Sequence, residues 1–553
     1  MDSTQAQPLR IALGGHILTL DDHSSRATAM AWCDGAVVAV GSDRDVLALT
    51  GADPADAVDF AGRTVIPGLT DAHAHLDRYG LGADLPGFED CVSVADVLEV
   101  IAHAVETREP GEWIVTRPIG APPHYERARL GEGSLVPTRA QLDRVAPDNP
   151  VYIRPIWGYW NAELDLVSAA NTAALRAAGI DLRTTRSPSA TVELLRDSSG
   201  ELTGVFVERV RNPILEHTLL ADAPTFTTAQ RARAIRAGAA AYAGYGTTAF
   251  FEGHGLSDDV LDAYQQVGAG GLRASLMWSS NWTQDDPDEV GALLAGRRRQ
   301  LQAADSRLDL QGVFVEIDDG SGDAALRARG RSHSGWAGFT TGAALPEEQL
   351  LRLLHRAAEA GIRVSGLDAR LLPLIAEVDA VTPVTPLGWV LSHHPVLSPE
   401  QIDQIAHLGM MVTTIAPYTL IRGGDALLRG GSAPGSILPL PALKAAGVPF
   451  AFGSDNVPIS IWESIYAVTE RLTESGAAIG PENALSREEA LIAAARGGAS
   501  ATGEQDTRGA LATGMAADFA VLDHDPLTCP ASALRAIRAS AIVIGGDVVH
   551  GTL

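Results

Sequence analysis

Hydrophobic and polar positions fall into different regimes along the chain. Over about the first 65 residues, runs such as RIALGGHILTL, TAMAWCDGAVVAVG and RTVIPG alternate or stay apolar between Gly, Asp and Ser turns, which is the pattern of strands and hairpins. About the last 45 residues read the same way, in AADFAVLDHD and AIRASAIVIGGDVVHG. Chain ends tend to lie at the surface and close together, so these two strand-rich ends are expected to fold as one small β domain.

The middle, from about Pro67 to Gly498, alternates short β-branched runs with Ala- and Leu-rich helical stretches. Strands are predicted at TVIPGLTDAHAH, GTTAFFEG, LRASLMW, GVFVEIDDG, IRVSGLDA, GWVLSHH, GMMVTTIAP and PFAFGSD. Helices such as PEEQLLRLLHRAAEAG and SPEQIDQIAHLG lie between several of them, opening on Pro-Glu and stopping at Gly. Eight strands with interspersed helices and no obvious repeat predict an α/β fold, a (β/α)8 barrel of parallel strands rather than an open sheet. Between the first and second strands, residues 85–228 are too long for a simple connection. They carry a strand-like run of their own, PVYIRPIWGYW, and the turn DSSGELTG. We take this excursion as an insertion that caps the mouth of the barrel.

Composition narrows the function classes. The 553 residues are 46% hydrophobic and 20% charged, the balance of a globular protein with a substantial core. Acidic residues outnumber basic ones by 68 to 42, and the net charge of −26 argues against nucleic acid as a partner, because phosphate binding needs a basic face. Cys33, Cys91 and Cys529 are far apart and form no CxxC pair, which suggests reduced thiols in a cytoplasmic protein. No basic-then-apolar leader opens the chain, and no apolar run approaches the eighteen or so residues of a membrane span. The expectation is a cytoplasmic protein that works on a small molecule, with no membrane partner.

The chemistry gathers at predicted strand ends. In Asp71-Ala72-His73-Ala74-His75, two histidines at i and i+2 point to the same face, which at the end of a barrel strand is the interior. Both imidazoles can then hold one divalent ion, and neutral imidazole suits zinc, iron and similar metals. GWVLSHH places His393 at another strand end, with His394 beside it. PFAFGSD places Asp455 at the end of an apolar run, where a buried carboxylate is costly unless paired or metal-bound. As ligand and general base, Asp455 can take a proton from a metal-activated water.

VIPGLTDAHAHL, LSHHPVLSPEQI, GVPFAFGSD and GALATGMAADFAVLDHDPL together resemble the amidohydrolase superfamily nearly end to end. VPTRAQLDRVAPDNPVYI, NTAALRAAGI, SSGELTGVFVE and Asp319-Gly320 resemble its long-insertion branch, which includes the N-substituted formamide deformylases. The resemblance implies that His73, His75 and Asp455 hold one metal. A Lys or Glu on the fourth strand and histidines on the fifth and sixth complete the site. It also implies a β-sandwich made from residues 1–66 and 506–553, around a hydrolase barrel at 67–505 that includes the insertion, and a homodimer.

The chain departs from that pattern in several places. GVFVEIDDG lacks the fourth-strand lysine, and Glu316, which shares strand parity with Phe314 and Asp318, is the nearest replacement ligand. The fifth-strand histidine is missing from Arg363-Val364-Ser365-Gly366-Leu367-Asp368, where Asp368 is the substitute to consider. A usual Gly-His in the insertion reads Gly158-Tyr159. His254 and Glu252, after GTTAFF, lie at a strand end and could supply a ligand, with structural hydrogen bonding the role expected of each. Losing one neutral ligand and one anionic bridge weakens a second metal position more than the first, so one ion per chain is expected, zinc before iron or manganese. Trp157 and Tyr159, with Trp160, Trp278, Trp282, Trp336 and Trp462, suggest an aromatic mouth, with Trp157 and Tyr159 as substrate contacts. The expected reaction is hydrolysis of the C–N bond of an N-formyl or N-acyl amide. Ring-opening hydrolysis, deamination or lyase chemistry on the same site, and a catalytically degenerate binding protein, are the competing readings.

Overall fold

The computed structural model describes residues 8–120, 128–155, 165–210, 213–282, 284–328, 338–339, 342–394 and 396–553. Eight parallel strands form the central sheet: β1 (Leu69–Asp71), β2 (Thr247–Leu256), β3 (Arg273–Trp278), β4 (Leu308–Ile317), β5 (Arg363–Gly366), β6 (Val390–Ser392), β7 (Met411–Thr414) and β8 (Phe450–Phe452). Each pairs in parallel with its sequence neighbour. Across the remaining seam, the Ala72 N–H donates to Phe452 O at 2.9 Å, and the sheet becomes a nearly closed barrel. The eight strands are those predicted from the sequence.

The interior is apolar. Ala72, Phe251, Met277, Phe314, Val390, Met411 and Ala451 pack inside the barrel. At the N-terminal end of β5, the Arg363 guanidinium bonds Gly388 O, Ala501 O and Gln311 Oε1 and lies over the Phe251 ring. A larger cluster joins the outer strand faces to the helices, and Trp278, Trp282 and Trp462 belong to it. Trp278 and Trp282 meet edge to face at 5.9 Å, and Trp462 Nε1 donates to Tyr245 O. These three indoles pack in the core. Trp157, Tyr159, Trp160 and Trp336 lie outside the described residues.

The predicted run TVIPGLTDAHAH proves to be two strands. Thr64–Pro67 pairs antiparallel with Phe519–Leu522 in a six-stranded sheet drawn from both termini. After Gly68 the chain passes into β1 of the barrel. A Cβ on Gly68 would meet Thr248 Oγ1 at 2.1 Å, so only glycine fits where the chain changes sheets. A four-stranded sheet of N-terminal strands completes the sandwich, around Trp32, Phe60, Val65, Phe519, Val521 and Val543. Between β1 and β2, the inserted subdomain carries its own five-stranded sheet and cores. It meets the C-terminal face of the barrel where Leu166 packs with Ile415 and Tyr418, which follow β7. Among the described residues, no helix is long and apolar enough to cross a membrane.

Candidate metal centre

The ends of β1 and β8 are zipped into one unit. Asp71 accepts from the N–H of His73 at 3.1 Å and of Ser454 at 2.9 Å. The Asp455 N–H donates to His73 O at 2.8 Å. The Asn456 amide donates to His75 O at 2.8 Å and accepts from the His75 N–H at 3.3 Å. A Cβ on Gly453 would meet His73 Cβ at 2.3 Å, so the two strand ends touch there through a glycine. Asp455 (φ 49°), Asn456 (φ 62°) and, after β6, His393 (φ 63°) all adopt the left-handed backbone that L-residues avoid. Such strain persists where surrounding bonds over-determine it, and it concentrates at functional sites.

Within this frame His73 and His75 are fully buried. His73 Nε2 faces His393 Nε2 at 2.8 Å. Two imidazole nitrogens so close cannot both present lone pairs to each other, so a proton or a cation belongs between them. His75 Nε2 lies 3.2 Å from Asp455 Oδ1, and His75 Nδ1 lies 3.1 Å from Glu252 Oε1. Glu252 also accepts from the Tyr264 hydroxyl at 2.6 Å. Burial holds Glu252 well above the usual carboxylate range, and its contact with Nδ1 orients the His75 ring from behind, as partners behind metal-ligating histidines do. The His254 ring completes the cluster, and ligand atoms of His73, His75 and His254 all lie within 4.8 Å of one another.

Burial sets the protonation of these groups. It lowers His73 to about 4 and His75 to about 3, and it holds His254 well below its ordinary value. Burial alone would raise Asp455, but the adjoining Arg78 guanidinium and the nearby histidines hold it well below the usual carboxylate range. Arg78 donates to Asp455 O at 2.9 Å and also to Oδ1. Near neutral pH the site therefore offers neutral imidazoles and one carboxylate. His73 Nδ1 is buried without a hydrogen-bond partner, and His75 Nε2 has the Asp455 carboxylate beside it. Unprotonated imidazole donors beside an ionised carboxylate fit a divalent cation of the zinc type. Asp71 is different: burial pushes its carboxyl up to about 7, and it ties β1 to β8 through backbone bonds.

The structure brings together His73, His75, His393 and Asp455 from the sequence reading. It does not bring Glu316 to them. At its end β4 pairs with Ala344–Leu345, and Glu316, opposite Ala344, is only half buried. Asp368, beyond the end of β5, pairs with Arg370 at 2.6 Å. His394 Nδ1 lies 3.4 Å from Val396 O. Glu252 is engaged in hydrogen bonding, the role expected of it. His254, expected to do the same, stands instead in the imidazole cluster. The signal for it was a histidine between two glycines, GHG, at a strand end. Arg78 carried no local signal, because only the fold brings it to Asp455.

Barrel, terminal sandwich and histidine cluster together define a class, and residues 56–550 match the amidohydrolase family. The chain belongs to that family of metal-dependent hydrolases, which act on carbon–nitrogen bonds other than peptide bonds. It is 25% identical to the N-substituted formamide deformylase of Arthrobacter pascens, over 98% of both chains. It is 24% identical to the putative amidohydrolase YtcJ of Bacillus subtilis, over 97% of this chain and 98% of that one. Among solved structures, an uncharacterised metal-dependent hydrolase from Pyrococcus horikoshii superposes with a TM-score of 0.66 at 18% identity, covering 95% of this chain and 99% of its own. The zinc complex of an atrazine chlorohydrolase from Arthrobacter aurescens gives 0.52 at 17% identity, covering 98% and 95%.

Proposed function

We propose that this chain hydrolyses the C–N bond of an N-formyl or N-acyl amide of a small molecule, using one divalent ion, zinc first among the candidates, held by His73, His75 and Asp455 with His393 beside them. The carrying observation is the set of neutral, buried imidazoles packed against one ionised carboxylate at the C-terminal ends of barrel strands. A bound ion of this type supplies Lewis acidity, making water nucleophilic near neutral pH and polarising a carbonyl.

The residues do the rest. Asp455, ionised and at 3.2 Å from His75 Nε2, is placed to accept a proton at its carboxylate and return it to the leaving nitrogen. Glu252 fixes the His75 ring from behind. The inserted subdomain packs Leu166 against Ile415 and Tyr418 after β7, which supports a capping role at the mouth. The deformylase relative, similar over nearly its whole length, supports an amide with a formyl group as the first substrate to try.

The test is metal content by elemental mass spectrometry, paired with formate and amine release from a panel of N-formyl and N-acyl amines. One ion per chain with release of both products is expected, and turnover should vanish in folded His73→Ala and Asp455→Asn proteins. Undiminished turnover in either variant refutes the assignment. A product that has gained water without cleavage, or release of ammonia, points to ring opening or deamination at the same site.

A further inference from the structure

We infer that His254, on β2, is itself a ligand of the ion, so that imidazoles of His73, His75 and His254 bind it together with Asp455. This rests on the metal-site reading above and assigns as a ligand a residue for which structural hydrogen bonding was the expected role.

Several independent features aim the His254 ring at the site. Between Glu252 and Leu256 the pairing of β2 with β3 shifts register. Such bulges bend a strand and re-aim a side chain. The bulge depends on the glycines flanking His254. A Cβ on Gly253 would meet the Phe251 ring at 2.4 Å, and one on Gly255 would meet Ser279 Cβ at 2.5 Å. Neither position has room for a side chain. The bulged backbone is also pinned, because the Ser365 hydroxyl on β5 donates to Gly253 O at 2.7 Å.

The ring itself packs against two phenylalanines. Phe339 stacks on it at 3.6 Å with an interplanar angle of 18°, and Phe314 on β4 lies 4.6 Å away. Phe339 is held in turn by a backbone bridge to Leu256, while Gly338 O accepts from both the N–H and the hydroxyl of Ser257. An imidazole stacked on a phenylalanine keeps its edge for bonding, and a ring nitrogen of His254 lies in the cluster with His73 and His75.

The same residues show why β2 takes the part. Phe314 and Ser365 sit opposite each other in the β4–β5 pairing. They stand on the strands where the family resemblance led us to expect ligands, and neither is a ligand here. One packs the His254 ring and the other anchors the peptide beside it.

Zinc affinity, measured by competition with a chromophoric chelator, tests the inference on wild type, His73→Ala and His254→Asn. Wild type should bind one ion, and both variants should bind it more weakly by on the order of a hundredfold. Wild-type affinity in folded His254→Asn would overturn the inference while leaving the metal site standing. No binding by wild type would overturn the site reading as well. X-ray absorption of zinc-loaded His393→Ala protein gives a second readout that leaves His254 in place. Three imidazoles in the first shell are expected, and two would overturn the inference.

Discussion

Burial of the site makes a quantitative prediction about how protons compete with the metal. An exposed histidine titrates near 6.5, so on acidification from about pH 7.5 to about pH 5.5 its neutral fraction falls roughly tenfold. Two such ligands would lose about a hundredfold in apparent zinc affinity. His73 and His75 behave otherwise, because burial lowers them to about 4 and about 3. At pH 5.5 a group titrating at 4 is protonated only about 3% of the time, and one at 3 about ten times less. His254 is shifted in the same direction, and Asp455 stays ionised throughout. These four donors together should therefore cost the apparent affinity less than about a factor of two over that range.

Chelator competition in matched buffers at the two pH values measures this directly. A loss steeper than one proton per ion would show that at least two ligands titrate as exposed histidines do. It would refute the claim that burial holds His73 and His75 neutral at the lower pH. The sign matters for stability too. Unfolding releases these histidines to values near 6.5, so the unfolded chain binds protons that the native one does not, and the metal-free protein should lose stability as pH falls below that value.

Three further outcomes follow from buried charges. Removing the carboxylate behind His75 with Glu252→Ala should lower zinc affinity about ten- to a hundredfold, read by the same competition assay; an unchanged affinity would sever Glu252 from the site. In the inserted subdomain, burial raises Glu208 to about 7, so the native protein favours its protonated form and its contribution fades as pH rises from about 4.5 through 7. Urea unfolding of Glu208→Gln against wild type should show the variant gaining about 3 kcal/mol across that window, and a pH-independent difference would refute it. Arg78→Met should destabilise the metal-free protein by about 3–5 kcal/mol by leaving Asp455 buried without its cation. Zinc should restore much of that loss in a melting experiment, and equal stability of variant and wild type without metal would contradict the pairing.

The barrel was legible because each strand is a short apolar run bounded by turn residues, and burial inside a parallel sheet leaves that mark on the sequence. The junction at Gly68 was not. Thr64–Pro67 and β1 are both buried, so the apolar run continues across the change of sheet. His73, His75, His393 and Asp455 could be placed because each lies at or just beyond a strand end. Parity pointed Glu316 inward with Phe314, but the late pairing of β4 with Ala344–Leu345 takes the strand's end away from its barrel neighbours. Hydrogen bonding was the role expected of His254, because nothing local shows that a bulge rephases the strand's alternation around it.

Arg78 explains how so many metal donors can be buried beside a carboxylate. A carboxylate as deep as Asp455 would be intolerable alone, and three neighbouring imidazoles could not neutralise it while they stay unprotonated. The guanidinium supplies the missing positive charge from the helix that follows β1, and it binds both the backbone and the side chain of Asp455. The histidines are therefore free to remain neutral, which is the form a metal requires. An arriving cation then meets a site already deprotonated and held in place by backbone bonds between β1 and β8, and it has only to share or take Asp455 from an arginine. The fold thus supplies Asp455 with a counter-charge of its own, the Arg78 guanidinium.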